Sequence, residues 1–163
     1  MKFFLKLTFL LILSASVFSG SAQNAVKRYI AKYDDLAVGQ MKKHEIPASI
    51  ILGVSIVESA AGQSMLAKAL NNYFGVKGKN TSSQQKLGYK SKYKEYESDE
   101  ASYEHFCQIL RNKSFYEKLK GTTDYKQWLF YMNKANYATA KGEWVRKIIL
   151  AIDKYKLYEY DKL

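Results

Sequence analysis

Apolar residues recur at helical spacing through most of the chain, and one stretch breaks the rule. Over residues 24–45, Tyr29, Ile30, Tyr33, Leu36, Ala37 and Met41 repeat with charges between them, which predicts an amphipathic helix. Pro47 suits the first turn of a second helix, expected to end near Ala60. That helix is apolar nearly all round, through Ile50, Ile51, Leu52, Val54, Ile56 and Val57, so it belongs at the centre of the fold. Ala61 and Gly62 stop it, and Ser64 is placed to cap a short helix through Leu70. From 73 to 97 the period is lost. Tyr73, Phe74, Val76, Leu87, Tyr89, Tyr93 and Tyr96 interleave with Lys, Gly, Ser and Asn, predicting a small β-hairpin or irregular β lobe with a flexible tip at 79–85. Ser98, followed by Asp99 and Glu100, starts another helix, because acids favour the positive first turn. Its inner face is Tyr103, Phe106, Cys107 and Leu110. A short helix over 114–119, a helix over 124–133 and a last helix over 142–158, burying Trp144, Ile148, Ile149, Ile152 and Tyr155, complete the pattern.

The first residues stand apart from it. Lys2 and Lys6 form a basic head, an apolar stretch runs up to Phe18, and Ser19-Gly20-Ser21-Ala22 offers the small side chains of a cleavage site. Residues 1–22 therefore read as a secretory signal peptide, with one domain over 23–163. The alternative is a retained membrane anchor, but the apolar core is short for a membrane span of about 20 residues, so no stable membrane insertion is expected after cleavage. No cysteine near the cut points to a lipoprotein. An exported protein of the periplasm or cell envelope, or a secreted one, is expected.

A chain of 163 residues with 47% hydrophobic and 25% charged side chains is globular, which excludes wholesale disorder and a multi-span membrane protein. Its single cysteine cannot make an internal disulfide. The formal net charge is +11, and the leader holds only two of the lysines, so the rest stays strongly basic and suited to polyanions. From Ser59 through Lys94 there is no acid, while Lys68, Lys77, Lys79, Lys86, Lys90, Lys92 and Lys94 fall there. This is either a solvated face or the cationic wall of a substrate groove.

Glu58 is the candidate for chemistry. It is the one ionisable side chain between Glu45 and Lys68, near the end of the most apolar helix and beside a glycine break. Desolvation there raises a carboxyl toward the range of a glycosidase acid; the alternative is a structural glutamate bonding the donors of the following turn. His44 and His105 lack ligand-spaced partners, so no metal site and no cofactor are expected. Cys107 sits on an inner helix face as a small hydrophobe. Tyr89, Tyr93 and Tyr96 alternate with lysine and could stack on sugars or bases, but no nucleic-acid motif accompanies them, and no nucleic-acid partner is expected.

Several segments, in order, carry a resemblance. IPASIILGVSIVESAAGQSMLA at 46–67, NNYFGVK at 71–77, YKEYES at 93–98, SYEHFCQIL at 102–110, NYATA at 136–140 and IDKYKLYEYD at 152–161 resemble the glucosaminidase family of peptidoglycan hydrolases. That family is related to flagellar rod-digesting hydrolases and, more remotely, to lysozymes. The resemblance implies an α+β, mainly α fold: a lysozyme-like helical body with a small β-hairpin lobe and a cleft between them. It implies action on peptidoglycan glycan strands, cleaving the β-1,4 bond from N-acetylglucosamine to N-acetylmuramic acid; a monomer is expected. Glu58 matches the family's catalytic acid and Tyr137 its active-site tyrosine. Asn72, Phe74, Tyr93 and Thr139 fall in segments that flank the cleft, with local turn and core structure as the other reading of Asn72 and Phe74. The family's second carboxylate, before the strand at 93–98, has no counterpart. Glu95 is the first acid available, and alternation puts it and Glu97 on the side of Tyr93, opposite Tyr96. The base is then Glu95 or a neighbour, or the substrate's own N-acetyl group assists, or Glu58 and Tyr137 work alone; substrate assistance needs no missing acid. The rival readings are a muramidase or lytic transglycosylase on the same fold, a non-catalytic wall-glycan binder, and a basic nucleic-acid binder.

Overall fold

The computed structural model describes the backbone of residues 2–80, 83–88, 90–138 and 141–163, with side chains from residue 21 onward except 83, 84 and 141 in those stretches. Its elements are α1 (Lys2–His44), α2 (Ala48–Ser59), α3 (Met65–Leu70), α4 (Ser83–Leu87), α5 (Asp99–Arg111), α6 (Tyr116–Leu119), α7 (Tyr125–Lys134), α8 (Lys141–Tyr155) and a closing 3-10 turn (Leu157–Lys162). The first helix is longer than its amphipathic segment predicts, because the backbone of the apolar leader continues it toward the N-terminus. No helix among the described residues is long and apolar enough to cross a membrane.

As its all-round apolar surface requires, α2 is the centre. It packs against α1, α7, α8 and the closing turn, and every residue from Ala48 to Ile56 is buried. Two of its three serines bond back into the helix, so they do not resist burial: Ser55 Oγ donates to the Leu52 carbonyl at 2.9 Å and Ser59 Oγ to the Ser55 carbonyl at 2.6 Å. Pro47, at the N-cap, has no side chain to cap with. Asp161 of the closing turn supplies the cap instead, accepting from the Ser49 N–H at 2.8 Å and the Ser49 hydroxyl at 2.7 Å.

A second tie joins α1 and α5 to the segment after α3. Tyr33 and Tyr73 donate to Asp99 at 2.7 and 3.0 Å, Lys32 pairs with the same carboxylate, and Tyr29 bonds Tyr103. Burial alone pushes the Asp99 carboxyl up, but the Tyr33, Lys32 and Tyr73 donors together outweigh it and hold the group below its ordinary value.

The fold is mainly helical, as expected, but the segment between α3 and α5 is not a β-hairpin among the described residues. It holds one isolated antiparallel bridge, Lys77 to Tyr93, with backbone bonds from Gly78 to Lys92 and from Lys94 to Val76, both 2.8 Å. On one side of the bridge the reason lies in Asn72, whose amide oxygen accepts from the Val76 N–H and whose amide nitrogen donates to the Lys94 carbonyl, the two groups that the next rung would join. Asn80 donates to the Ser91 and Tyr93 carbonyls. The short helix α4 takes up part of the expected flexible tip. Tyr89 lies outside the described residues.

Gly53 shows how closely α2 meets α8. A Cβ there would lie 2.8 Å from Ile152 Cγ1 and 3.1 Å from Ile148 Cγ2, and both isoleucines are fully buried. Gly53→Ala gains about 1 kcal/mol of helix propensity and incurs overpacking of roughly 1–3 kcal/mol. We expect a net loss near 1 kcal/mol in denaturant unfolding; a Gly53→Ala variant as stable as wild type would show a looser seam than this geometry describes.

Candidate active site

Glu58 occupies the last turn of α2, and the chain around it leaves its carboxyl free of the turn. Ala60, Ala61 and Gly62 are all left-handed, with φ of 50°, 52° and 75°, so the backbone turns sharply away. The donors of that turn have other acceptors: the Ala60 and Ala61 N–H groups bond the Ile56 carbonyl, and Gly62 N–H bonds Ser59 Oγ at 2.8 Å. The half-buried Glu58 carboxyl instead reaches across to α8, where Trp144 Nε1–H donates to Oε1 at 2.6 Å. Its other oxygen lies beside Gly75, in the loop after α3, where a Cβ would come within 3.2 Å of Oε2. The carboxyl thus stands where the helical body meets the irregular lobe. Burial raises its pKa above the ordinary glutamate value, and the indole bond offsets part of that rise.

Tyr137 joins this group. Asn136 is left-handed at φ 52°, and the Tyr137 N–H closes the turn on the Met132 carbonyl. The tyrosine ring then lies 5.4 Å from the Trp144 ring, tilted by 33°, and meets Phe106 edge-on at 6.0 Å. Burial chiefly, and the Glu58 charge second, push the Tyr137 phenol well up, so it keeps its proton across the neutral range. An aromatic row from Phe74 through Phe106 and Tyr137 to Trp144 therefore backs the carboxyl. A half-buried acid whose pKa is raised by burial, beside a protonated phenol, is equipped to give a proton to a bound oxygen.

The other candidates have different surroundings. Glu95 pairs with Lys86 of α4 and lines an open pocket of about 600 Å³ with Tyr96, Glu104 and His105; Glu58, Trp144 and Tyr137 do not line it. Asn72, 1% exposed, has its amide committed to the lobe backbone, including the Val76 N–H at 3.0 Å. Phe74, 3% exposed, stacks on Phe106 at 4.1 Å. Both brace the site from behind. Tyr93, half-buried, forms the antiparallel bridge with Lys77. Thr139 lies outside the described residues. Cys107 is fully buried, and burial pushes its thiol up.

Sequence reasoning places Trp144 among the core residues of the last helix and misses its bond. The available signal is that a buried indole N–H needs an acceptor, and Glu58 is the one carboxylate in the central helix. Gly75 likewise falls within a family-like motif that gives it no role of its own.

The chain is similar to several known proteins. A family model described as mannosyl-glycoprotein endo-beta-N-acetylglucosaminidase matches residues 34–157, a span that contains Glu58, Gly75, Glu95, Tyr137 and Trp144. The exo-glucosaminidase LytG of Bacillus subtilis (strain 168) is 27% identical over 138 residues, covering 75% of this chain and 49% of LytG. The chain thus spans about half the length of that curated relative. The catalytic domain of the autolysin Auto from Listeria monocytogenes superposes with a TM-score of 0.68 at 25% identity, over 84% of this chain and 88% of that one. The glycoside hydrolase domain of FlgJ from Salmonella typhimurium has a TM-score of 0.60 at 20% identity, over 80% and 88% of the two chains, and shares the fold.

Two outcomes follow from the geometry. Because the folded-state pKa of Glu58 is raised, the unfolded chain ionises first, and folding loses stability as pH rises above the unfolded value of about 4.3. Glu58→Gln removes that penalty, so it should melt above wild type at pH 7, with the gap closing below pH ~4; equal melting at both pH values would contradict a raised pKa. Asn72→Ala takes their Asn72 partner from the part-buried Lys94 carbonyl and Val76 N–H, and should cost roughly 2–4 kcal/mol in unfolding experiments. A loss under about 0.5 kcal/mol would show water taking those places readily.

Proposed function

The chain belongs to the glucosaminidase family, and from that premise we propose that it is an exported peptidoglycan hydrolase cleaving the β-1,4 bond from N-acetylglucosamine to N-acetylmuramic acid. The observation that carries this reading is Glu58 itself: a half-buried carboxyl with a raised pKa, set between the helical body and the lobe. In the proposed reaction Glu58 protonates the glycosidic oxygen as the bond breaks, and Tyr137 faces the reacting sugar with its phenol protonated. Residues 1–22 act as the secretory leader, delivering residues 23–163 to the periplasm or cell envelope. The basic surface suits a polymer that carries carboxylates on its peptides.

For the second chemical role, the reading favours the substrate's N-acetyl oxygen. It would close on the anomeric carbon as the leaving oxygen takes the Glu58 proton, and water would then open the ring with Glu58 as base. What supports this route over Glu95 is the Glu95 ion pair with Lys86, which engages that carboxylate away from the Trp144 group.

The test is digestion of purified peptidoglycan, with reduced products identified by mass spectrometry. Wild type should release muropeptides ending in reduced N-acetylglucosamine, and Glu58→Gln should lower the rate roughly 10²–10⁴-fold. Products ending in muramic or anhydromuramic acid would make it a muramidase or lytic transglycosylase. Wall binding without release would make it a glycan-binding protein.

A further inference from the structure

We infer that Trp144 and Gly75 divide the two oxygens of the Glu58 carboxyl, Trp144 holding Oε1 as an acceptor and Gly75 keeping Oε2 clear as the oxygen that carries and delivers the proton. The inference rests on the acid role proposed above and adds which oxygen acts and what assigns it. A carboxylic acid can hold its proton on either oxygen, and a randomly protonated acid is misaligned part of the time. The indole N–H is a donor with no acceptor capacity, and it lies 2.6 Å from Oε1. The carbonyl oxygen of a protonated carboxyl is the better acceptor, so this contact leaves the proton on Oε2. The indole cannot readily turn away, since Trp144 is 5% exposed and its ring packs against Tyr137.

On the other side, Gly75 adopts φ +63°, and a Cβ would stand 3.2 Å from Oε2. A side chain there would crowd the oxygen that must meet the substrate. The arrangement also favours the transfer itself. As the proton leaves Oε2, charge develops on the carboxylate, and the Trp144 bond strengthens because its acceptor becomes ionised. That bond is worth more after proton transfer than before it, which is the condition for lowering the barrier. Trp144 is thus a positioning residue acting through Glu58, and Gly75 is the opening it acts through.

Indole NMR of the full chain tests this without any substrate. The protein has two tryptophans, and Trp128 donates to the Thr122 carbonyl at 3.2 Å, which does not titrate. One indole N–H resonance should therefore move in a single step with the Glu58 titration while the other stays still, and both should be flat in Glu58→Gln. Two stationary indoles in wild type, or the same movement in Glu58→Gln, would overturn the inference. Kinetics on peptidoglycan give the second readout. Trp144→Phe removes the donor that lowers the Glu58 pKa, so the alkaline limb of the rate profile should move to higher pH. Its kcat should fall roughly tenfold or more with KM within about twofold. An unmoved alkaline limb would contradict the assignment. If wild type releases no sugar, the hydrolase reading fails, while the indole titration still decides whether Trp144 holds the Glu58 carboxyl.

Discussion

The structure depends on the burial of one helix that has no polar face. With Ala48 to Ile56 all inside, α2 must be enclosed, and α1, α7, α8 and the closing turn are arranged to enclose it. Enclosure leaves two problems at its ends. At the start, the N–H groups need an acceptor, and Asp161 reaches back to provide one for Ser49. At the other end, the enclosing shell opens just enough to leave Glu58 half-buried. The chemistry of the carboxyl follows from where the burial stops.

Around that end, separate devices keep competing partners away from the carboxyl. Ser59 takes the turn's donor at Gly62, and left-handed Ala60 and Ala61 direct the chain aside. Left-handed backbone at alanine costs on the order of 1 kcal/mol per residue, so the turn is held by its surroundings rather than by local preference. The lobe reaches the site through an equally specific arrangement: Asn72, fully buried, bonds both sides of the crossing segment and sets the Gly75 loop against Glu58. A longer β ladder would need the Val76 N–H and the Lys94 carbonyl that Asn72 uses.

What could be read from the chain divides along the range of the forces involved. The central helix and Glu58 were legible because periodicity and an isolated charge are local features of the sequence. The caps at Ser64 and Ser98 were legible for the same reason, and each accepts from the N–H three residues on. The Trp144 bond, which spans 86 positions, depends on how α8 docks, and no local pattern reports that. The lobe misled because alternation of aromatic and polar residues suggests paired strands, whereas side-chain amides determine the pairing. Glu95 has the right residue type and chain position, but its pairing with Lys86 follows from the fold of α4 and leaves it outside the Trp144 group.

The central claim is that burial at the end of α2 keeps a proton on Glu58 above the ordinary carboxylate range. The most direct measurement is titration of the side-chain carboxyl carbon in glutamate-labelled protein, with Glu58→Gln assigning the resonance. The account predicts one carboxyl titrating distinctly above the ordinary glutamate value of about 4.3 and absent from Glu58→Gln. A Glu58 resonance that titrates at that value, or below it, would contradict the account.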